Sequence, residues 1–417
     1  MAKVDLNFTL DYCKRWGLRE AVREVVQNAR DVQILGGDFR VEHTKDTLTV
    51  TSEGQHLTSS ALVFGASSKG NDSRTIGQFG DGLKVALGVF LRYNVTVRIN
   101  TGREIWTPIT IVRDGVRCVG VNTRSLPITS HRERVTFEIA GVTSEDWAEW
   151  SKMFLFLTRH IGDHIATHEG TLLLDHAHKG AIFSKGILVY RATDLDFGYD
   201  LPGLSLNRDR EIADHYEVRC GTVQVWDNAI NGPRGNDLLK IMYSSMASSA
   251  SVDFDHLAYS SSALGRDAIC ALADTFRAEH GDAIVVTNSA QAAQAGQLGE
   301  KAIVVSQALA GALKAAGVRD LAKAKASVSD AHTPVELSTL SPREYDRWTQ
   351  ALDLFARAIN THLPTVRVVN FVSPDTLGIY RSASDEVLIS RNTLLSHALY
   401  STLAHEIAHR CGPDGSA

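Results

Sequence analysis

The sequence predicts an α/β protein of two or three domains, and three observations carry that prediction. Apolar residues recur at helical spacing across residues 18–32. Strand-like alternation fills residues 94–140. A glycine-dense run, residues 64–82, lies between the two. At 417 residues the chain is longer than one ordinary core accommodates. Its 44% hydrophobic and 22% charged residues argue for complete folding over long disorder.

Taken in order, residues 18–32 read as a helix, and residues 38–43 and 47–51 as two short strands. After the glycine run a second helix is expected from Leu83, where Val85, Ala86, Leu87 and Val89 resume an apolar pattern. Residues 95–100, 106–113, 116–122 and 134–139 alternate as strands, so the first part should be a mainly antiparallel sheet with helices on one face. A helix over 147–161 should lead into a β-rich stretch over 171–226, then helices over 235–280 with a Ser/Ala joint at 244–251. Residues 283–287 and 302–305 read as strands followed by Ala-rich helices, and 317–334 as a linker or frayed helix. The last part should hold a helix over 342–361, strands at 366–371, 377–381 and 386–390, and a final helix from about Thr393.

Several classes are disfavoured. A net charge of −5 provides no basic footprint for nucleic acid, although a local basic face can hide in an average. The five cysteines (Cys13, Cys118, Cys220, Cys270, Cys411) form no C-x-x-C pair, the pattern of reduced thiols in a cytoplasmic protein. There is no apolar signal region and no run of membrane-spanning length, so no membrane partner is expected.

The first helix carries Glu24, Asn28 and Asp31 on one face. A carboxylate there can activate water, and an amide oxygen four residues on can ligate Mg²⁺. Taken alone, the three also fit a solvated helix face. The glycine run ends in Ile76-Gly77-Gln78-Phe79-Gly80-Asp81-Gly82, opening directly into a helix. Its amides and the helix N-terminus can hold a triphosphate.

This order of motifs resembles the GHKL (Bergerat-fold) ATPases, which include the ninety-kilodalton heat-shock chaperones, type II topoisomerases, MutL, MORC proteins and histidine kinases. The run IGQFGDGL is closest to the chaperone and MORC versions. The resemblance implies ATP and Mg²⁺ as ligands, with Glu24 the general base, Asn28 the Mg²⁺ ligand and Asp31 beside them. It implies a phosphate cradle of Gly77, Gln78, Phe79, Gly80 and Gly82, and a mobile lid containing Ser67, Ser68 and Lys69. Lys84 is either a phosphate contact or an exposed helix lysine. Where the family has D-x-G-x-G for adenine, this chain has Ser52-Glu53-Gly54-Gln55-His56. Gly54 is kept, and Ser52 would have to recognise the adenine amino group through its hydroxyl. Further on, Leu206-Asn207-Arg208-Asp209-Arg210-Glu211 looks like the chaperones' middle-segment loop. That match makes Arg210 the arginine that reaches the γ-phosphate.

Near the end stands His405-Glu406-Ile407-Ala408-His409, an H-E-x-x-H run. Two imidazoles one helical turn apart can share Zn²⁺, and Glu406 can take a proton from zinc-bound water. Leu395, Leu399, Leu403 and Ile407 make a separate apolar stripe, so the motif need not supply the core face. A third ligand is not evident. Gly412 fits the metzincin pattern, but Gly415 occupies its ligand position with Asp414 one place early. His397 lies about 12 Å back along a helix. The ending therefore reads as a domain cut short, and two imidazoles alone should hold zinc weakly.

Three parts are thus expected: residues 1–160 as a Bergerat-type α/β sandwich, 161–280 as a β-rich transducer-like middle segment, and 281–417 as an α+β metallopeptidase-like domain, incomplete at its C-terminus. The implied function is an ATPase whose nucleotide-driven closure, with homodimer formation, controls the zinc domain and a protein substrate. The alternative is a MORC- or MutL-like clamp, or a chaperone, with a structural zinc helix.

Overall fold

The computed structural model describes residues 2–63, 74–76, 80–126, 133–207, 211–212, 214–247, 252–359 and 362–410. The chain divides into two compact units, Met1–Gly235 with Ala250–Phe254, and Asn236–Ser249 with Asp255–Ala417. Together they make a mixed α/β protein with largely antiparallel sheets. No helix among the described residues is long and apolar enough to cross a membrane.

In the first unit β1 (Ala2–Thr9) precedes α1 (Leu18–Ile34), β2 (Asp38–Thr44) and β3 (Thr47–Glu53). Then come α2 (Gly82–Arg92), β4 (Val97–Thr101), β5 (Glu104–Arg113), β6 (Val116–Ser125) and β7 (Arg134–Ala140). Among the described residues these seven strands form an antiparallel sheet in the order β1-β6-β5-β4-β7-β3-β2. Val50 faces Phe137, Phe137 faces Ile99 and Ile99 faces Trp106, a buried row across one face. Helix α1 packs on β2 and β3, and α2 packs on α1, β5 and β6. The helices present Ala21, Val22, Val25 and Val26, and Val85, Ala86, Leu87 and Phe90, to the same core.

Three features depart from expectation here. Strand β1 is not among the expected strands, although Val4, Leu6 and Phe8 alternate; its pairing to β6 shifts between Asp5 and Thr9, with Asn7 left-handed at φ 58°. The helix expected over 147–161 is only α3 (Ser144–Trp150), started by a Thr143/Asp146 capping box and followed by 3-10 turns. The β-rich stretch also ends earlier than expected. Strands β8 (His164–Ala166), β9 (Thr171–Leu173), β10 (Ala181–Ser184), β11 (Ile187–Arg191) and β12 (Gly198–Asp200) form a second sheet, ordered β11-β10-β12-β9-β8. After it, α4 (His215–Ile230) is a helix because Val218, Thr222, Val225, Trp226 and Ala229 repeat at helical spacing and are all buried.

The second unit begins with α5 (Gly235–Ala247, from Asn236 on) and α6 (Arg266–His280). A βαβ unit follows: β13 (Ile284–Val286), α7 (Ser289–Gln297) and β14 (Ala302–Val304), the two strands parallel, then α8 (Gln307–Ala315). Residues 317–334 follow the helical one of the two expected readings, not the linker. They hold α9 (Leu321–Asp330), whose Ala324 is buried against Ile284, Val286 and Ala295, and β15 (His332–Pro334). Helix α10 (Pro342–Ala358), β16 (Thr365–Phe371), β17 (Gly378–Arg381), β18 (Glu386–Ser390) and α11 (Ala398–Ala408) complete the unit. The sheet order is β15-β16-β18-β17. Helix α11 starts later than the apolar stripe implied, so Leu394 is buried and Leu395 stands 57% exposed.

Candidate functional site

Helix α1 buries two carboxyl groups. Glu24 is 1% exposed and Asp31 is fully buried, which rules out the solvated-face reading of this helix. Buried carboxylates are expensive unless satisfied, and both have partners. An Arg23 guanidinium nitrogen lies 3.6 Å from Glu24 Oε1, and Ile76 N–H donates to Asp31 Oδ1 at 2.7 Å. Asn28 turns its Nδ2 back to donate to the Glu24 carbonyl at 2.8 Å, which puts its Oδ1 on the far side of the amide.

Glu24 faces the start of α2. A Cβ added to Gly82 would fall 1.9 Å from Glu24 Oε2, so the carboxylate lies where it does because residue 82 has no side chain. The dipole of a helix N-terminus favours an anion at this place. Just before it Gly80 is left-handed, with φ 69°. Lys84 is not the exposed helix lysine that was one alternative. It is fully buried, donates to the Gly80 carbonyl at 2.7 Å and sits 3.7 Å from Asp81 Oδ1. Burial lowers its pKa, with the Asp81 charge opposing.

Ser52 is buried on the helix-facing side of β3, two residues from Val50 and opposite Val135. Gly54 follows with φ 105°, donates to the Glu133 carbonyl at 2.9 Å, and a Cβ there would lie 3.1 Å from Gly37 Cα. Ser68, Lys69, Gly77, Gln78, Phe79 and Arg210 (with Ser67) lie outside the described residues.

One residue that the sequence reading missed belongs with this group. Gln27, 1% exposed, has neither amide atom hydrogen-bonded among the described residues. It stands three positions after Glu24 and four before Asp31, so spacing alone could have flagged it. An orphaned buried amide is rare in a folded protein and marks a place for water or ligand. Buried acids, a glycine that leaves room for one of them, a helix N-terminus and this amide suit a polyphosphate with its cation.

In the second unit, α11 presents His405, Glu406 and His409, whose ligand atoms lie within 4.8 Å of one another. His405 is exposed and Glu406 buried; a Cβ on Gly378 of β17 would lie 2.9 Å from Glu406 Cγ. The core face of the helix is separate: Leu399 and Leu403 are fully buried, and Ile407 packs beside them. The donor set of two imidazoles and a carboxylate suits Zn²⁺. Asp414 lies outside the described residues.

No family model matches the sequence. Over 249 residues the chain is 23% identical to an uncharacterized protein of Mycoplasma pneumoniae, covering 55% of this chain and 99% of that one. Among solved structures, it is similar to the ATPase and transducer domains of Balamuthia mandrillaris DNA topoisomerase II at 13% identity and a TM-score of 0.27, covering 41% of this chain and 60% of that one. It is also similar to the ATPase region of Saccharomyces cerevisiae topoisomerase II bound to dexrazoxane, at 10% identity and a TM-score of 0.29, covering 54% of this chain and 68% of that one.

Proposed function

We propose that the first unit binds and hydrolyses ATP in the GHKL manner. The observation that carries this reading is the Glu24 carboxylate seated against Gly82 at the start of α2. It supports a base beside an anion-binding helix end, which is the pairing that hydrolysis of a terminal phosphate requires. In this reading Glu24 orients and deprotonates the attacking water. The amides of the Gly80–Gly82 turn and the α2 N-terminus hold the phosphates, and Ser52 and Gly54 receive the adenine. Asn28 Oδ1 would hold Mg²⁺, which when bound neutralises phosphate charge. Lys84 braces the turn through the Gly80 carbonyl. Arg210 is assigned the γ-phosphate contact by its motif.

Glu24→Ala should retain ATP binding by calorimetry and lose phosphate release by about 10²–10⁴-fold. Asn28→Ala should lose Mg²⁺-dependent binding itself. A hydrolytically active Glu24→Ala protein would sink the reading.

For the second unit we propose Zn²⁺ binding by His405 and His409 with Glu406 as proton acceptor, supported by the convergence of their ligand atoms. Control of a peptidase-like reaction by nucleotide-driven dimerisation is the wider form of this proposal, in a cytoplasmic protein. A clamp with a structural zinc helix is the competing form. Zinc-dependent cleavage of a casein substrate separates the two.

A further inference from the structure

One lysine of the second sheet touches the glycine loop. Strands β10 and β11 are joined by Lys185-Gly186, both left-handed, with φ 52° and 77°. Consecutive positive φ values make the tight hairpin turn that Asn-Gly usually supplies. Lysine is a costly choice there, and strain of this kind concentrates where a side chain has work to do. The turn is held from below by Asp200, whose Oδ1 accepts from Gly186 N at 3.0 Å. Asp200 is itself largely desolvated, which raises its pKa against the hydrogen bonds from Gly186 and Lys185.

From this turn the Lys185 Nζ donates to the Thr75 carbonyl at 2.9 Å, across 110 residues of sequence. The next N–H in the chain, that of Ile76, donates to Asp31 Oδ1. The single peptide unit between Thr75 and Ile76 is therefore bracketed, its oxygen by a cation from the second sheet and its hydrogen by an anion from α1. Both charges lie along the peptide dipole in the favourable sense, and Thr75 is fully buried. Ile76 opens the last part of the glycine run, Ile76 to Gly82.

We propose that Lys185 is a positioning residue that fixes the entry of the glycine loop and couples nucleotide occupancy to the β10–β11 hairpin. The inference rests on the ATP reading above. Lys185 acts on loop backbone and leaves the chemistry to Glu24, so its loss weakens nucleotide binding and spares turnover. Coupling is reciprocal, so bound nucleotide in turn stabilises the hairpin.

The test compares wild-type, Lys185→Met and Lys185→Arg full-length chains. Methionine keeps the apolar stem and removes the charge; arginine keeps a donor. The Met variant should bind the non-hydrolysable analogue AMP-PNP about tenfold or more weakly, raise KM for ATP to match, and keep kcat within about threefold. The Arg variant should recover part of the affinity. In wild-type protein AMP-PNP should slow hydrogen exchange at residues 181–191, and in the Met variant at saturating analogue that slowing should vanish. If the Met variant loses its thermal transition, the Arg variant and the wild-type exchange response decide. Unchanged affinity and unchanged hairpin protection in a folded Met variant overturn the inference while ATP binding stands. A loss of kcat at unchanged affinity also overturns it, because the ammonium would then act on the reacting phosphate. A wild-type chain that binds no nucleotide overturns the ATP reading and this inference together.

Discussion

The α1–α2 region and the α11 region carry two polar motifs built in opposite ways. Around α1, Glu24 meets Gly82 and Asp31 meets Ile76, pairs from separate segments that come together only because the sheet and helices pack. At the end of α11 the two imidazoles and Glu406 come from five consecutive residues, and one helical turn suffices to converge them. The first arrangement ties function to the core: its carboxyl groups are buried and its glycine cannot be changed without moving Glu24. The second leaves motif and core on different faces, since Leu399 and Leu403 hold the helix while His405 faces solvent. Each of those leucines contributes about 2 kcal/mol of burial. Damage to the first site should therefore reach packing and chemistry together, whereas damage to the second should stay local.

The largest contrast is expected from Gly82→Ala. The added methyl would overlap Glu24 Oε2 at 1.9 Å, so the carboxylate or the helix start must shift. A displacement of about 1 Å should cost about 10²-fold in ATP hydrolysis, with a lowered thermal midpoint of the same chain. Full activity in this variant would break the comparison at its stronger end. His409→Ala should be next in size. Zinc binding, read by competition with a fluorescent chelator, should be lost, because a single imidazole is left to hold the ion, with the melting transition unchanged. A large loss of stability would show that the imidazole belongs to the core after all.

The smallest effect tests local electrostatics away from both motifs. Glu344 caps α10 and accepts from Arg391 at 2.9 and 3.0 Å. The guanidinium, with the Ser341 N–H, brings its pKa from 4.5 to about 2. Its folded value is the lower one, so the stability it adds is fully present above pH 4.5 and is lost as pH falls toward 2. Thermal midpoints of wild-type and Glu344→Gln chains should differ at pH 6 and converge near pH 2. A gap of constant size across that range would assign the effect to packing instead.

Much of the secondary structure was legible because it depends on local period. Residues 18–32, 38–43 and 386–390 alternate or repeat cleanly, and each lies in the expected element. Strand β1 was equally periodic, but the left-handed Asn7 interrupts it and its register on β6 shifts between Asp5 and Thr9. Residues 215–226 misled because Val218, Val223 and Val225 carry strand preference singly, while burial across α4 follows the helical period. The candidate site was half legible in the same sense. Glu24, Gln27, Asn28, Asp31 and Gly82 are marked by spacing, whereas Lys185 carries no motif.

By itself the sequence determined which residue types recur at which interval, and hence the α/β class, the acid/amide face of α1, the glycine turn before α2 and the H-E-x-x-H turn of α11. These follow from backbone geometry that acts within a few residues. Only the tertiary structure decided that Glu24 and Asp31 are buried, that Lys84 braces a turn, and that Lys185 reaches Thr75 from another sheet. Those outcomes depend on which surfaces lose water when distant segments pack, and no local interval records that.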